Sequence, residues 1–265
     1  MSELVKLTAE GCAATFDPAD GGRLTSFRIG EHEILVPTGK DMWHYGSFVM
    51  APWVGRLRNA TLNYQGKQYG FPANAGPHAL HGLVLDRAWQ VTGDGELSIE
   101  LGDPWPWPCR VVQKTKLARG RADFTLEIHA KQPMPAALGW HPWFLRRLAN
   151  TPAAAELQLD FEAAKMWAND EVSLPTGELT TEFPPQPWDY CFRELAHDPV
   201  VRWPGELELT VSSSCTDWII YTMEEEGMCV EPWTAPPNSV NMPNPQIVRP
   251  GAPLVATMTW TWRTA

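Results

Sequence analysis

Hydrophobic and polar residues alternate along several short segments of the chain. Alternation places every second side chain on one face of a strand, so each segment predicts a strand with one buried face. Segments 217–223 and 254–262 are rich in β-branched and aromatic residues, which suit a pleated surface. The alternating apolar positions are Leu97, Ile99 and Leu101; Phe124, Leu126 and Ile128; and Leu207, Leu209 and Val211.

Turn sequences separate these segments at short intervals. Asp20-Gly21-Gly22, Gly93-Asp94-Gly95 and Arg119-Gly120 are typical of the connections in an antiparallel sheet. No segment sustains a helical period, and only short helical turns are expected near Tyr190 to Leu195. Proline accounts for 25 of the 265 residues, against a usual share of about 5%, which disfavours long helices. We therefore predict an all-β fold, an antiparallel sandwich or barrel, in a single domain over residues 1–265.

Charge and cysteine usage narrow the functional class. The chain has 21 Lys and Arg against 31 Asp and Glu, a net charge of −10, which would repel a nucleic-acid backbone. No apolar run approaches the roughly 20 residues of a membrane helix, and the first residues lack a signal-peptide pattern, so we expect a cytoplasmic protein that binds neither nucleic acid nor membrane. The five cysteines form no C-x-x-C pair, and we expect them to be reduced and structural. The sequence also has no phosphate-binding loop, dinucleotide fingerprint or serine nucleophile elbow.

Two histidines lie three residues apart in the segment 74–82. Residues i and i+3 of a strand face opposite sides, and Gly76 and Pro77 disfavour the helical turn that a His-x-x-His chelate needs. We therefore expect no metal at His78 and His81. The spacing alone favours one histidine that packs and caps a loop while the other is exposed.

A further histidine precedes a proline. The residue before a proline is restricted to extended backbone, so His141, followed by Pro142, is predicted to lie on a strand or at its end. Its aromatic neighbours Trp140 and Trp143 suit the wall of a sugar site. An equally good interpretation is a core histidine whose ring makes one backbone hydrogen bond.

One carboxylate directly follows an apolar run. Glu231 comes after Met228-Cys229-Val230, and Pro232 keeps its backbone extended. A carboxyl that leaves a buried strand is desolvated, which raises its pKa toward the range of a general base. A structural ion pair with an arginine would give the same sequence pattern, so both interpretations stay open.

Arg56 follows Gly55 and lies close to Asn59 in the sequence. A guanidinium is a planar fork of donors and an amide adds a further polar group, a combination suited to a polyol or a carboxylate. Surface arginines are common, so this segment indicates a binding site only in combination with the others.

In this order the segments resemble the aldose 1-epimerase family, the galactose mutarotase-like proteins. Each motif is short, but the ordered set is fairly specific and spans most of the chain. Trp143 stands where a tyrosine is commoner. The matching stretches are Gly21-Gly22-Arg23-Leu24-Thr25-Ser26, Gly55 to Asn59, His81-Gly82 with Trp89, His141-Pro142-Trp143-Phe144, Glu231-Pro232-Trp233-Thr234 and Asn241.

The resemblance implies a galactose mutarotase-like supersandwich, a large antiparallel β-sandwich with a sugar cleft on a concave sheet. It implies an isomerase of carbohydrate metabolism, an aldose 1-epimerase, in which Glu231 acts as base and His141 as acid. Arg56 and His81 would hold sugar hydroxyls and the ring oxygen, and Asp189 would bind further hydroxyls. The residues around Asp189 depart from the family pattern.

The expected reaction interconverts the α and β anomers of a free aldohexose. A base takes the proton of the C1 hydroxyl and an acid donates to the ring oxygen, so the ring opens and recloses on either carbonyl face. One carboxylate and one imidazole on opposite sides of the hemiacetal suffice, and no metal or other cofactor is required. The negative charge of Glu231 is expected to favour the imidazolium form of His141.

Two alternatives share the fold. A hexose-6-phosphate 1-epimerase needs a basic patch at the cleft mouth, for which Arg58, Lys67, Arg87, Arg146 and Arg147 are candidates. A non-catalytic carbohydrate-binding or sensor protein has no reason to keep both an acid and a base. A sugar is the expected small-molecule partner in each case, and the chain is expected to be a monomer or a homodimer.

Overall fold

The chain folds almost entirely into strands. The computed structural model describes residues 3–149, 151–152 and 155–264. Strands make up 54% of the structure and helix 3%, which confirms the all-β prediction. Short 3-10 turns occur at Arg58–Ala60 and Ser239–Asn241. Within the described ranges, no helix has both the length and the apolar character needed to cross a membrane.

The strands are numbered in chain order. The first twelve are β1 (Val5–Ala9), β2 (Cys12–Asp17), β3 (Arg23–Ile29), β4 (His32–Glu33), β5 (Ser47–Met50), β6 (Arg56–Leu57), β7 (Thr61–Tyr64), β8 (Lys67–Gly70), β9 (Ala79–Leu80), β10 (Gln90–Gly93), β11 (Glu96–Leu101) and β12 (Cys109–Ala118). They continue with β13 (Arg121–Ala130), β14 (Met134–Pro135), β15 (Gly139–Leu145), β16 (Gln158–Asp160), β17 (Ala163–Asn169), β18 (Pro175–Thr180), β19 (Asp189–Leu195), β20 (Val200–Trp203), β21 (Leu207–Ser213), β22 (Asp217–Tyr221), β23 (Gly227–Trp233), β24 (Ile247–Val248) and β25 (Leu254–Thr264).

Two large antiparallel sheets contain most of these strands. The first has 11 strands along the path β1-β2-β3-β5-β15-β23-β22-β19-β17-β18, with β4 paired to β3. The second has 8 strands in the order β10-β11-β12-β13-β25-β21-β20-β16. Two-stranded sheets are formed by β6 with β9, β7 with β8, and β14 with β24.

The two large sheets pack face to face around an aromatic core. Phe27 and Phe144 of the first sheet contact Trp260 of the second, with ring centroids 5.0 and 5.3 Å apart. Phe124 of the second sheet packs against the same indole at 4.8 Å. Trp260 is fully buried, and a buried ring of this size removes a large apolar area from water. The architecture is therefore the sandwich form of the two predicted alternatives.

Every segment that alternates in the sequence forms a strand. The alternating segments become β11, β13 and β21, and the segments rich in β-branched residues become β22 and β25. The prediction of a short helical turn near Tyr190 to Leu195 is wrong, because these residues belong to β19. The backbone of β19 pairs with β17 on one side and with β22 on the other. Two ladders of hydrogen bonds outweigh the weak local preference of this segment.

All five cysteines lie in the described part of the chain, and they are buried and unpaired. This agrees with the prediction that they are reduced. Cys191 on β19 and Cys229 on β23 belong to the first sheet, close to the residues singled out for chemistry.

Candidate active site

Adjacent strands at the centre of the first sheet carry the two candidate catalytic residues. The pairing of Trp143 with Cys229 fixes the register between β15 and β23, which sets His141 opposite Glu231. Residues opposite each other in an antiparallel pair project from the same face. The resulting row across β5, β15, β23, β22 and β19 is Phe48, His141, Glu231, Ile219 and Cys191.

A second row lies two residues away along the same strands and therefore on the same face of the sheet. The alternate residues, such as Val230 and Ile220, pack into the core between the sheets. The sheet thus brings Asp189 of β19 to the same surface as Glu231 of β23. The second row consists of Trp143, Cys229, Tyr221 and Asp189.

Segments between strands cover this face of the sheet. One of them contains His81 and Gly82, and its backbone conformation requires a glycine at position 82. His81 has a φ of 62° and Gly82 a φ of 79°, in the left-handed region that glycine adopts without strain. A Cβ on Gly82 would lie 2.1 Å from the carbonyl oxygen of Ala51. The next residue, Leu83, donates its N–H to that oxygen at 2.7 Å. The close passage of the chain along Ala51 therefore requires a glycine and holds His81 over the sheet.

A cavity of about 210 Å³ lies between this face and the covering segments. The five residues singled out from the sequence for catalysis or sugar binding all line this one cavity. Residues from separate parts of the chain thus converge on a single concave site, the usual form of a small-molecule site. The five are Arg56, His81, His141, Asp189 and Glu231.

Other lining residues were missed by the sequence analysis. Trp43 and His44 come from the irregular segment between β4 and β5, and Ser173 from the segment between β17 and β18. Irregular segments have no periodic pattern that would mark an inward-facing position. The aromatic and basic pair Trp43-His44 is the one local signal that could have drawn attention to the first segment.

His141 and Glu231 are in direct contact within the cavity. The Nε2 atom of His141 lies 3.5 Å from Oε1 of Glu231, and the two residues are 7% and 1% exposed. The two groups are neighbours on adjacent strands and do not lie on opposite sides of a sugar-sized space, as the proposed reaction was expected to require. Among the described residues, neither Nδ1 of His141 nor Oε2 of Glu231 has a hydrogen-bond partner. Buried polar atoms are rarely left unpaired, so these atoms indicate a polar ligand.

Burial favours the uncharged form of both partners. It raises the pKa of Glu231 well above its ordinary value, and the nearby Asp189 carboxylate raises it further. Burial also lowers the pKa of His141 well below its ordinary value, and the positive charge of Arg23 acts in the same direction. The expectation that Glu231 keeps His141 charged is therefore wrong, because desolvation outweighs the attraction between the two groups.

Aromatic rings fix the plane of the His141 imidazole. Phe48 stacks on it with centroids 4.6 Å apart, and Trp143 stacks on it at 5.5 Å. The indole N–H of Trp143 donates to the carbonyl of Trp43 at 2.6 Å, which orients the indole. Trp143 lines the cavity, as a sugar-site wall requires, whereas Trp140 belongs to the core between the sheets.

Polar side chains with different charge states surround the pair of His141 and Glu231. Burial lowers the pKa of His81 to about 3, with a contribution from the charge of Arg56, so this imidazole is neutral near pH 7. Burial raises the pKa of Asp189, and Arg56 opposes that shift. The Nη1 atom of Arg56 lies 3.9 Å from Oδ2 of Asp189, with the side chains 36% and 39% exposed. This pair therefore stands where the cavity opens to solvent.

The two histidines of segment 74–82 occupy different places. Nδ1 of His78 accepts a hydrogen bond from the backbone N–H of Asn59 at 3.0 Å, so this residue caps a loop as expected. His81 is 7% exposed and lines the cavity, and the expectation that the other histidine is exposed is wrong. Asn59 contributes its backbone to this loop.

Together these features define a class of protein: an antiparallel sandwich with a carboxyl–imidazole pair in a polar and aromatic cavity on one sheet face. Such a pair is suited to general acid–base chemistry on a small polar molecule. The model of the aldose 1-epimerase family matches residues 3–261, and the chain belongs to this family. The resemblance drawn from the ordered motifs is confirmed.

Relatives with sequence similarity cover the chain to different extents. The uncharacterized protein YihR of Escherichia coli is 26% identical over 275 aligned residues, covering 90% of this chain and 86% of that protein. The galactose mutarotase of Bos taurus is 26% identical over 152 residues, which cover 52% of this chain and 43% of the bovine protein. The chain thus matches less than half of the length of the bovine relative.

Solved structures share the fold along the whole chain. An aldose epimerase homologue from C. elegans has a TM-score of 0.83 at 17% identity, with 100% of both chains covered. Galactose 1-epimerase from Lactobacillus acidophilus has a TM-score of 0.80 at 14% identity, covering 100% of this chain and 96% of that chain. These similarities confirm the galactose mutarotase-like sandwich.

Proposed function

We propose that the chain, as one domain over residues 1–265, is an aldose 1-epimerase that interconverts the α and β anomers of a free aldohexose. The observation that carries this proposal is the contact of His141 Nε2 with Glu231 Oε1 at 3.5 Å inside a cavity. An acid and a base in contact with each other can act on the two oxygens of one hemiacetal. Family membership supports the same chemistry, and the names of the bovine and Lactobacillus relatives make galactose the first sugar to test.

Neighbouring groups are sufficient for this reaction because of the chemistry of the hemiacetal. The C1 hydroxyl oxygen and the ring oxygen are bonded to the same carbon, so they lie close together. Glu231 and His141 can therefore each reach one of these oxygens from the same side of C1. An arrangement on opposite sides of the sugar ring is not needed.

The pair holds one proton before and after ring opening, because it takes one proton from the sugar and gives another back. Glu231, as carboxylate, takes the proton of the C1 hydroxyl while the imidazolium of His141 gives its proton to the ring oxygen. The electrons of the O–H bond form the carbonyl, and the bond between C1 and the ring oxygen breaks. Glu231 is then protonated and His141 neutral. After rotation about the C1–C2 bond, the same steps run backwards and close the ring on the other face.

Burial disfavours the charged pair of the first stage and favours the neutral pair of the second. The stage with a neutral carboxyl and a neutral imidazole is the one that desolvation favours, and it belongs to the open-chain sugar. The stage with both groups charged carries the same number of protons and the same net charge. The two residues therefore titrate as one unit, and no net charge enters or leaves the cavity during the reaction.

Three further residues are assigned to binding. Arg56 and His81 hold sugar hydroxyls and the ring oxygen, and Asp189 binds further hydroxyls. Neutral His81 can donate or accept a hydrogen bond without competing for the proton of Glu231. Arg56 and Asp189 are 3.9 Å apart, beyond hydrogen-bond distance, so their donors and acceptors remain available to a sugar.

The candidate cations favour a neutral sugar over a hexose 6-phosphate, because none of those in the described part of the chain lines the cavity. Arg58 forms an ion pair with Asp170. Arg146 donates to two backbone carbonyls, and Arg147 lies 3.1 Å from a carboxylate oxygen of Glu156. A phosphate would have to break these interactions before it could use the cations. We therefore expect a lower kcat/KM for glucose 6-phosphate than for glucose.

Polarimetry of freshly dissolved α-galactose, α-glucose and glucose 6-phosphate tests the proposal. The protein is expected to accelerate the approach to the equilibrium rotation, and Glu231→Gln to slow it by about 10²- to 10⁴-fold while sugar binding stays measurable. Glu178→Gln, at an exposed position of β18, is the matched control. Full activity of Glu231→Gln would contradict the assignment of the base. Sugar binding without acceleration by the unaltered protein would identify a carbohydrate-binding protein instead.

A further inference from the structure

Cys229 lies beside the proposed catalytic pair but has no part in the anomer reaction. One nitrogen of His141, the Sγ atom of Cys229 and a carboxylate oxygen of Glu231 all lie within 4.8 Å of one another, and all three residues are buried. The register explains this cluster. Cys229 and Glu231 are two residues apart on one face of β23, and the register places His141 of β15 opposite Glu231 and Trp143 opposite Cys229.

This donor set is typical of a thiophilic divalent metal. Zn²⁺ binds thiolate sulfur, imidazole nitrogen and carboxylate oxygen at about 2.0–2.3 Å. Bonds of that length place tetrahedral ligands about 3.5 Å apart, which is the separation of His141 Nε2 from Glu231 Oε1, 3.5 Å. The three ligand atoms lie within 4.8 Å of one another, so no separation would have to shorten by more than about 1.3 Å to complete a three-ligand site.

The charge of the ligands also favours a divalent cation at this position. A thiolate and a carboxylate together carry two negative charges, which equal the charge of a divalent cation. The resulting buried complex is neutral, so it avoids the large free-energy cost of an isolated buried ion.

We propose that His141, Cys229 and Glu231 bind a thiophilic divalent cation such as Zn²⁺ or Cd²⁺, and that the bound cation blocks the active site. The metal replaces the thiol proton of Cys229 and any proton on Glu231, and it takes a lone pair of His141. The acid and the base are then engaged, so metal and sugar exclude each other. Mg²⁺ and Ca²⁺ prefer oxygen ligands and are not expected to compete. The inhibition rests on the proposed function, whereas metal binding does not.

A Cd²⁺ titration of the protein tests the site without any need for activity. Absorption of the cadmium–thiolate bond in the near ultraviolet is expected to saturate at one Cd²⁺ per chain. Cys229→Ala is expected to lose this absorption and to weaken binding by at least roughly 100-fold, a loss that even residues supporting a metal ligand can cause. Cys191→Ala is the matched control, because Cys191 is also buried in this sheet and lines the same cavity. Cys229→Ser serves if the alanine variant is unstable.

Polarimetry then distinguishes the metal site from the proposed function. Cd²⁺ is expected to abolish the acceleration by the unaltered protein and by Cys191→Ala, and EDTA to restore it. Cys229→Ala keeps His141 and Glu231 and is expected to stay active in Cd²⁺. Absence of the cadmium absorption in an active protein, or equal absorption in Cys229→Ala, would overturn the metal site and leave the epimerase proposal intact. Specific Cd²⁺ binding by a protein that never accelerates mutarotation would support the metal site and contradict the epimerase proposal.

Discussion

The imidazole of His141 lies next to the carboxyl of Glu231, with Nε2 3.5 Å from Oε1. The register of β15 against β23 sets this contact, with Trp143 and Cys229 paired beside it. Groups carried by strands are held more precisely than groups carried by loops. The two side chains therefore form one preorganised unit, and this makes their combined behaviour testable.

Single and double substitutions of the pair are expected to have nearly equal effects. Glu231→Gln and His141→Asn should each lower kcat by about 10²- to 10⁴-fold, and the double variant should fall little further. Each residue supplies half of one proton exchange, so losing either half stops it. Initial rates from polarimetry give kcat for the three variants. If the double variant showed the product of the single effects, the two residues would act independently.

His81 is expected to make the free energy of unfolding depend on pH. Burial lowers its pKa to about 3 in the folded chain, against about 6.5 in the unfolded chain. Below pH 6.5 or so the unfolded chain binds a proton that the folded chain does not, so stability is lost as the pH falls. The expected loss is about 1.4 kcal/mol per pH unit between roughly pH 6 and pH 4.

Urea titrations of the unaltered protein and of His81→Asn at several pH values measure this effect. The comparison isolates His81, because other titrating groups contribute to both proteins. The unaltered protein should lose stability more steeply on acidification. Parallel pH profiles would mean that His81 is protonated in the folded chain as readily as in the unfolded one.

Gly82→Ala is expected to lower the free energy of unfolding by at least about 1–3 kcal/mol. Its φ is 79°, and the added Cβ would lie 2.1 Å from the carbonyl oxygen of Ala51. Gly76 has a similar φ of 61° but meets nothing within 4 Å, so Gly76→Ala carries the backbone strain without the clash. Its expected cost is about 1 kcal/mol. Equal losses in urea unfolding would show that contact with Ala51 does not decide the choice of glycine.

Arg23 is expected to position one wall of the cavity. It is fully buried, and its Nη1 and Nη2 atoms donate to the carbonyls of Tyr45 and Met42 at 3.0 Å each. These carbonyls flank Trp43 and His44. Arg23→Met should therefore raise KM by roughly tenfold, equivalent to about 1.4 kcal/mol of binding, and change kcat less, because the catalytic pair stays on its strands.

Arg28→Met is the control for this substitution, since Arg28 is an exposed residue of the same strand. Arg23→Lys retains a donor and should recover part of the affinity. Steady-state polarimetry separates KM from kcat for each variant. Equal falls in kcat for Arg23→Met and His141→Asn would contradict a positioning role confined to the wall.

Local sequence predicted the strands because burial of one face leaves an alternating pattern. The segments around Leu97, Phe124 and Leu207 show it and form β11, β13 and β21. Residues 190–195 lack such a pattern, and pairing on both edges decided their structure. The difference is that alternation is visible in one segment, whereas pairing depends on segments elsewhere in the chain.

The sequence predicts which residues form the candidate site, but it does not predict how they are arranged. Pro232 after Glu231 and Pro142 after His141 mark extended residues at buried positions, so both could be found locally. Their contact depends on how β15 and β23 pair, which no single segment encodes. The charge of His141 was predicted wrongly because desolvation depends on the segments that cover the sheet.

The sheet carries the proton-exchanging pair, while the segment between β4 and β5 contributes Trp43 and His44 to the enclosure. On the proposed function, the acid and the base therefore belong to the sheet, while a separate stretch of the polypeptide builds part of the cavity. A change in the length or composition of that segment would then reshape the cavity while His141 and Glu231 keep their positions on β15 and β23.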